Sequence, residues 1–128
     1  MSIEPFIYNA TLERVIDGDT IDVTLDLGFD VKLHKQRCRL AGIDTPESRT
    51  RNLVEKKLGL KAKKRLEELC STNLKVKSLG KGKYGRILAI PYTQDSEDIC
   101  QILMEEGHAV SYQGGKKKKI WGKENGEI

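Results

Sequence analysis

Arg39-Leu40-Ala41-Gly42-Ile43-Asp44-Thr45-Pro46-Glu47 reads as a strand that runs into a rigid turn. Leu40, Ala41 and Ile43 are apolar and suit a buried strand, with Gly42 thinning its end. Pro46 has no backbone N–H and pushes Thr45 towards extended geometry, so the strand stops there. Two carboxylates, Asp44 and Glu47, are left on one turn, with Arg39 on the element that leads into it. Three charges so close to an apolar strand end are poorly spent if the stretch only builds a core.

Working outward, Val15-Ile16-Asp17-Gly18-Asp19-Thr20-Ile21 places two more carboxylates around a glycine between apolar flanks. Gly82-Lys83-Tyr84-Gly85-Arg86 puts a cation at the start of a further strand. In order and rough spacing, Ile-Asp-Gly-Asp-Thr at 16–20, Arg-Leu…Ile-Asp-Thr-Pro-Glu at 39–47 and Lys-Tyr-Gly-Arg at 83–86 resemble the staphylococcal nuclease (thermonuclease) family. The resemblance runs from about Thr11 to Tyr112. Asp-Gly-Asp alone carries little, because such triplets commonly make turns; the three motifs together are specific.

The remaining pattern is compatible with a small α+β domain. Tyr8 to Val15 reads as a first strand after an arm at 1–7. Asp17-Gly18 marks a hairpin turn. Thr20 to Leu27 alternates Ile21, Val23, Leu25 and Leu27 against Asp22, Thr24 and Asp26, as a half-buried strand does. A third strand is expected over Phe29 to Ile43, bent or bulged near His34 to Gln36. Val54, Leu58, Ala62, Leu66 and Leu69 or Cys70 recur at helical spacing, with lysines on the other faces and Gly59 as a weak point. Short strands follow around Leu74 and Val76 and over Arg86 to Tyr92. A second helix is expected with Asp95 or Ser96 as its cap and Gly107 as its stop. Such short, turn-rich strands suggest a small barrel. The resemblance implies a five-stranded barrel of the oligonucleotide-binding (OB-fold) type with helices packed on it.

Size and charge narrow the function classes. A chain of 128 residues is one domain. A net charge of +4 mildly favours a polyanionic partner. Cys38, Cys70 and Cys100 are far apart and odd in number, which suits a reduced chain and shows no zinc knuckle. His34 and His108 have no partner at ligand spacing. Met1 to Ala10 lacks the basic start and apolar run of a secretory leader, and no apolar stretch approaches a membrane span. A cytoplasmic protein without membrane association or an obligate protein partner is the expectation.

The chemistry follows from the charged residues. If their turns meet, Asp17, Asp19, Asp44 and Glu47 form a negative pocket that only a cation relieves. The ligands on offer are all oxygen, which suits a hard ion such as calcium, magnesium or manganese. On spacing alone, Asp17 and Asp19 read more simply as decoration of a hairpin turn. The resemblance implies calcium held by Asp19, Asp44 and the Thr45 backbone carbonyl, with Asp17 acting through a water. A carboxylate at Glu47 is placed to orient or deprotonate an attacking water; its plainer reading is an exposed turn acid. Guanidinium groups at Arg39 and Arg86 match phosphate oxygens, though either alone is more often a surface charge. Arg37 shares the strand face of Arg39 and serves as a local control. Lys83 and Tyr84 suit the phosphate and sugar of a nucleotide, and Tyr112 is a platform for a base or simply a half-buried strand tyrosine.

These residues assemble a metal-assisted phosphodiester hydrolase. The resemblance implies DNA and RNA as substrates, with single strands preferred, low base specificity and 3′-phosphate products. The competing class is a non-catalytic single-stranded nucleic-acid-binding module of the same fold. Two departures from the family pattern stand out. Gly82 takes the place of a frequent acidic residue. The third, C-terminal helix is expected to be missing or very short, which leaves 8–112 as the nuclease domain and 113–128 as a basic tail carrying an Ile120-Trp121 plug.

Overall fold

The computed structural model describes residues 5–112. Four antiparallel pairings and one parallel pairing close five strands into a barrel: β1 (Ile7–Asp17), β2 (Thr20–Gly28), β3 (Val31–Leu40), β5 (Asn73–Lys81) and β6 (Ile87–Tyr92), in the order β1-β2-β3-β6-β5. Two short strands, β4 (Ile43–Asp44) and β7 (Val110–Ser111), pair outside it. Two helices, α1 (Leu53–Leu69) and α2 (Ile99–Glu105), complete the α+β domain, which has the expected oligonucleotide-binding type of barrel. The stretch in which a third helix is expected to be missing or very short, the tail 113–128 and the Ile-Trp plug lie outside the described residues, as does most of the expected arm; Ile7 already belongs to β1 and pairs with Lys77 of β5.

The alternation in β2 builds the barrel interior. Ile21, Val23 and Leu25 are buried, and Cys38, Leu40, Leu74, Val76, Ile87 and Ala89 meet them from the other strands. Leu66, Ile99 and Leu103 extend this core under the helices. All three cysteines are buried free thiols, and burial pushes each up to about 12. No described helix is long and apolar enough to cross a membrane.

Two local expectations change and two hold. The third strand ends at Leu40, not Ile43, because Gly42 takes a left-handed φ of +76° and turns the chain out of the barrel. Ile43 and Asp44 then pair with β7. The expected irregularity near His34 to Gln36 is present: Lys35 has φ +51°, where the β2–β3 register slips. The second helix is capped by Asp98, whose carboxylate accepts from the Gln101 N–H, and not by Asp95 or Ser96. Those residues are absorbed in a turn in which the Ser96 and Glu97 N–H groups donate to Thr93. Gly107 stops the helix as expected, with φ +83°.

On α1 the packed face is Gly59, Ala62 and Leu66, while Val54 is half exposed. Arg65 donates in a fork to Glu106 at 2.6 and 2.8 Å, tying α1 to the end of α2. That guanidinium holds the Glu106 carboxyl below its ordinary range.

Candidate active site

The β1–β2 hairpin places the first carboxylate. Asp17 pairs with Thr20, so Gly18 and Asp19 are the central turn residues, one step later than the dipeptide expected. Gly18 sits where a side chain has no room: a Cβ there would lie 2.6 Å from the Ala62 Cβ and 3.0 Å from Thr45 Oγ1. This close approach brings the turn against both α1 and the segment after β4. The Leu40 N–H donates to the Asp19 carbonyl at 2.8 Å, locking the turn to the end of β3.

Asp19, Arg39, Asp44 and Thr45 come together from three segments. Arg39, the register partner of Thr20, extends its guanidinium between two carboxylates. Nη1 lies 2.6 Å from Asp19 Oδ2, and Nη2 donates to Asp44 Oδ1 at 3.4 Å. The Nη1 contact is Coulombic, since Nη1 makes no aligned hydrogen bond. Asp19 also accepts from the Thr20 hydroxyl at 3.0 Å and from the Thr45 N–H at 3.2 Å. The side chains of Arg39, Asp19 and Asp44 are only 15%, 12% and 4% exposed, so these charges act in a medium far less polar than water. Arg37, by contrast, is 47% exposed and forks onto Asp22 at 2.8 and 3.1 Å. The two arginines of one strand face are therefore sorted by what their neighbours offer.

The Asp17 carboxylate is engaged by Ser48. It accepts from the Ser48 N–H at 3.2 Å and, more closely, from the Ser48 hydroxyl. Glu47 precedes Ser48 and is exposed; its N–H donates to Glu55 Oε2 at 3.1 Å. Its own carboxylate makes no hydrogen bond or ion pair among the described residues. Tyr112 is drawn into the cluster: its N–H donates to the Gly42 carbonyl at 2.9 Å and its ring centroid lies 5.6 Å from Arg39 Cζ.

Arg86 and Tyr84 form a separate pair. The Arg86 Cζ lies 5.8 Å from the Tyr84 ring, and Arg86 makes no ion pair among the described residues. It stands two residues before Leu88, the β6 neighbour of Arg39. Tyr84 is almost fully exposed at φ +61°. The side chain of Lys83 lies outside the described residues.

Sequence reasoning missed the residues that position the charged ones: Ser48, Glu55, Gly18, Gly59 and Ala62. One signal was available. Asn52-x-x-Glu55 has capping-box spacing, and Asn52 does cap α1 by accepting from the Val54 and Glu55 N–H groups. Glu55 does not reach back to the cap; it holds the Glu47 backbone.

Gly59 lets α1 approach the Glu47 loop. A Cβ there would lie 2.5 Å from the Glu47 carbonyl carbon and 2.6 Å from the Ser48 nitrogen, closer still to the Glu47 oxygen. Backbone atoms cannot rotate aside. Gly59→Ala would raise helix propensity by about 1 kcal/mol, but overpacking costs about 1–3 kcal/mol. The expected result is a lower thermal midpoint, with a shift of the Glu47 loop that costs about 10²-fold in any activity depending on it. A raised midpoint would show that the loop yields freely.

Barrel and cluster together define a class: an oligonucleotide-binding-type barrel with a buried arginine–carboxylate cluster at the end of β3. Residues 37–125 match the family model described as "Staphylococcal nuclease homologue". The chain is 36% identical over 111 residues to the SPbeta prophage-derived endonuclease YokF of Bacillus subtilis (strain 168), covering 83% of this chain and 35% of that protein. Endonuclease YncB of the same organism is 37% identical over 111 residues, covering 83% and 49%. The micrococcal nuclease of Shigella flexneri is 30% identical over 115 residues, covering 83% and 59%. This chain belongs to the staphylococcal nuclease homologue family. It spans between about a third and three fifths of the length of these relatives.

Proposed function

We propose that this chain is a metal-dependent nuclease that hydrolyses phosphodiester bonds of DNA and RNA. The observation that carries this reading is the convergence of Asp19 and Asp44 on the Arg39 guanidinium, with the Thr45 peptide against Asp19. The nuclease names of the relatives support the same reaction class.

The donor set fits a hard cation. Asp19 and Asp44 offer carboxylate oxygens, and the Thr45 carbonyl is the third ligand in this reading. No group of three or more His, Cys, Asp or Glu converges among the described residues, so these two carboxylates and the carbonyl would be the protein's whole share of the ligands. Calcium suits that arrangement best, with magnesium or manganese as substitutes. Once bound, the ion supplies polarisation of a phosphate oxygen and a site for water.

The chain's own residues do the rest. Arg39 holds a non-bridging oxygen of the scissile phosphate with its planar fork and neutralises the charge that grows there. Glu47, exposed three residues after Asp44, accepts the proton as the water oxygen bonds to phosphorus. The bond from phosphorus to the 5′ oxygen breaks and that oxygen takes a proton from solvent, leaving a 3′-phosphate on one product and a 5′-hydroxyl on the other. Arg86, just before the neighbouring strand β6, stabilises the same phosphate. Asp17, held by Ser48, keeps the Glu47 loop in place and would serve a bound ion through a water. In this reading Tyr112, over Arg39, stacks on a base, and Lys83 and Tyr84 are assigned the adjoining phosphate and sugar. These groups address phosphate, metal and base faces and not base edges, so base specificity is low and single strands are preferred.

The test is hydrolysis of single-stranded DNA and RNA with calcium, with magnesium and with chelator, and analysis of the product ends. Cleavage that falls to background on chelation and returns with calcium is the expected result. No cleavage with any ion, with salt-sensitive DNA binding retained, would replace the enzyme by a binding module of the same fold.

A further inference from the structure

The barrel carries a concave surface whose lining includes none of the residues of the arginine–carboxylate cluster. Cross-strand partners line up there across β3, β2, β1, β5 and β6 as Lys32, Asp26, Asn9, Lys75 and Tyr92. Their chain neighbours Leu25, Ala10, Leu74 and Val76 are buried, so this row faces outward by alternation. The row lines a half-open cavity of about 670 Å³, within the range of ligand sites. Ala10 and Leu74 contribute apolar surface to it, and the turn residues Thr93, Gln94 and Ser96 border it.

The outer face of β3 connects this groove to the cluster. Arg39, Arg37, Lys35 and Lys32 follow one another along it, over roughly 20 Å at about 3.3 Å per residue. Asp22 engages Arg37, whereas Lys35 and Lys32 are exposed. Lys35 is joined to the groove through its N–H, which donates to the hydroxyl of Thr24, a lining residue. Within the groove two lysines outnumber the single carboxylate of Asp26, and one aromatic ring is at hand. Cations with an aromatic face and small hydrogen-bonding side chains are what a stretch of single-stranded nucleic acid uses. An apolar plug would leave Asn9, Thr11 and Asn73 without partners.

Resting on the nuclease reading above, we propose that this groove is a second nucleic-acid subsite. It takes the single strand several nucleotides away from the cleaved bond, with the strand led there along β3. The protein then favours long strands over short ones by a margin that resides in Lys32 and Lys75.

The experiment measures binding by fluorescence anisotropy, in chelator so that no cleavage occurs, for the full chain. The probes are a single strand of about 20 nucleotides, longer than the ~4–16 that one such barrel covers, and a tetranucleotide. The variant Lys32→Gln/Lys75→Gln is compared with Lys57→Gln/Lys64→Gln, an exposed lysine pair on α1. All four sites are exposed, and equal thermal midpoints establish that the folds are intact. For the groove pair, the ratio of long-strand to short-strand affinity is expected to fall about tenfold. The slope of log K against log[salt] should become shallower by about 1.4, as for two single-strand phosphate contacts. An equal loss in the α1 pair would reduce the effect to general polyelectrolyte attraction and overturn the subsite, as would no loss in the groove pair. If the wild-type chain cleaves neither probe with calcium, the nuclease reading fails, and the groove still stands or falls on the binding comparison.

Discussion

Arg39→Ala is expected to lower turnover by roughly 10³–10⁵-fold, the range found when a transition-state arginine is removed from phosphoryl transfer. The same change should destabilise the fold. Asp19 and Asp44 are buried, and Arg39 is the cation that lies between them. Removing one partner from such a buried arrangement costs about 3–5 kcal/mol. A cation bound by the two carboxylates opposes that loss; at a hundred times its dissociation constant it adds about 2.7 kcal/mol. The thermal midpoint of Arg39→Ala should therefore rise more with calcium than that of the wild type. Arg39→Lys separates the two roles. Lysine keeps a charge between the carboxylates but lacks the fork, so stability should return while most of the turnover does not. Wild-type turnover in Arg39→Lys would exclude forked phosphate binding, and an unchanged calcium response in Arg39→Ala would exclude Asp19 and Asp44 as a cation site.

Glu47→Gln makes the complementary case. The Glu47 carboxylate is exposed and carries no hydrogen bond or ion pair among the described residues; only its backbone N–H is engaged, by Glu55. The amide keeps the shape of the side chain and removes its ability to take a proton. Turnover is expected to fall by about 10²–10⁴-fold, the usual contribution of a positioned general base. The thermal midpoint and the affinity for single-stranded DNA should be unchanged, because nothing in the fold rests on that carboxylate. Single-turnover cleavage alongside a melting curve checks both. Turnover near the wild-type level would remove Glu47 from the chemistry and leave the water to be activated by the ion alone.

The contrast between these two variants shows how far the residues could be read in advance. That Arg39 and not Arg37 belongs to the cluster came from the motif register, not from the charge or the alternation. Both arginines lie on one strand face, and only the presence of Asp22 opposite Arg37, with Asp19 and Asp44 around Arg39, separates them. Gly59 misled in the other direction. In a helix its intrinsic effect is a loss of about 1 kcal/mol, and sequence alone shows no compensating gain. The gain is the room it gives to the Glu47–Ser48 backbone. The helix cap shifted to Asp98 for a similar reason, since Thr93 had already taken the Ser96 and Glu97 N–H groups into a turn.

What the sequence by itself determined is everything that depends on neighbours along the chain. The alternation of Ile21, Val23 and Leu25, the helical spacing of Ala62 and Leu66, a turn at Gly18 (though not its register) and the Gly107 stop are local signals, with periods of two or 3.6 residues or one special φ. The three motifs named the charged residues in the same local way. Only the tertiary structure decided that the hairpin at Gly18-Asp19 meets Thr45, that β3 runs parallel to β6, and that Asp17 turns to Ser48. Those contacts join segments 26 or more residues apart. The first and the last of them are supported by α1, which seats against both turns through Gly59 and Ala62, where the absence or smallness of a side chain lets the segments approach closely. No periodicity in the chain records which distant segment will fill that space.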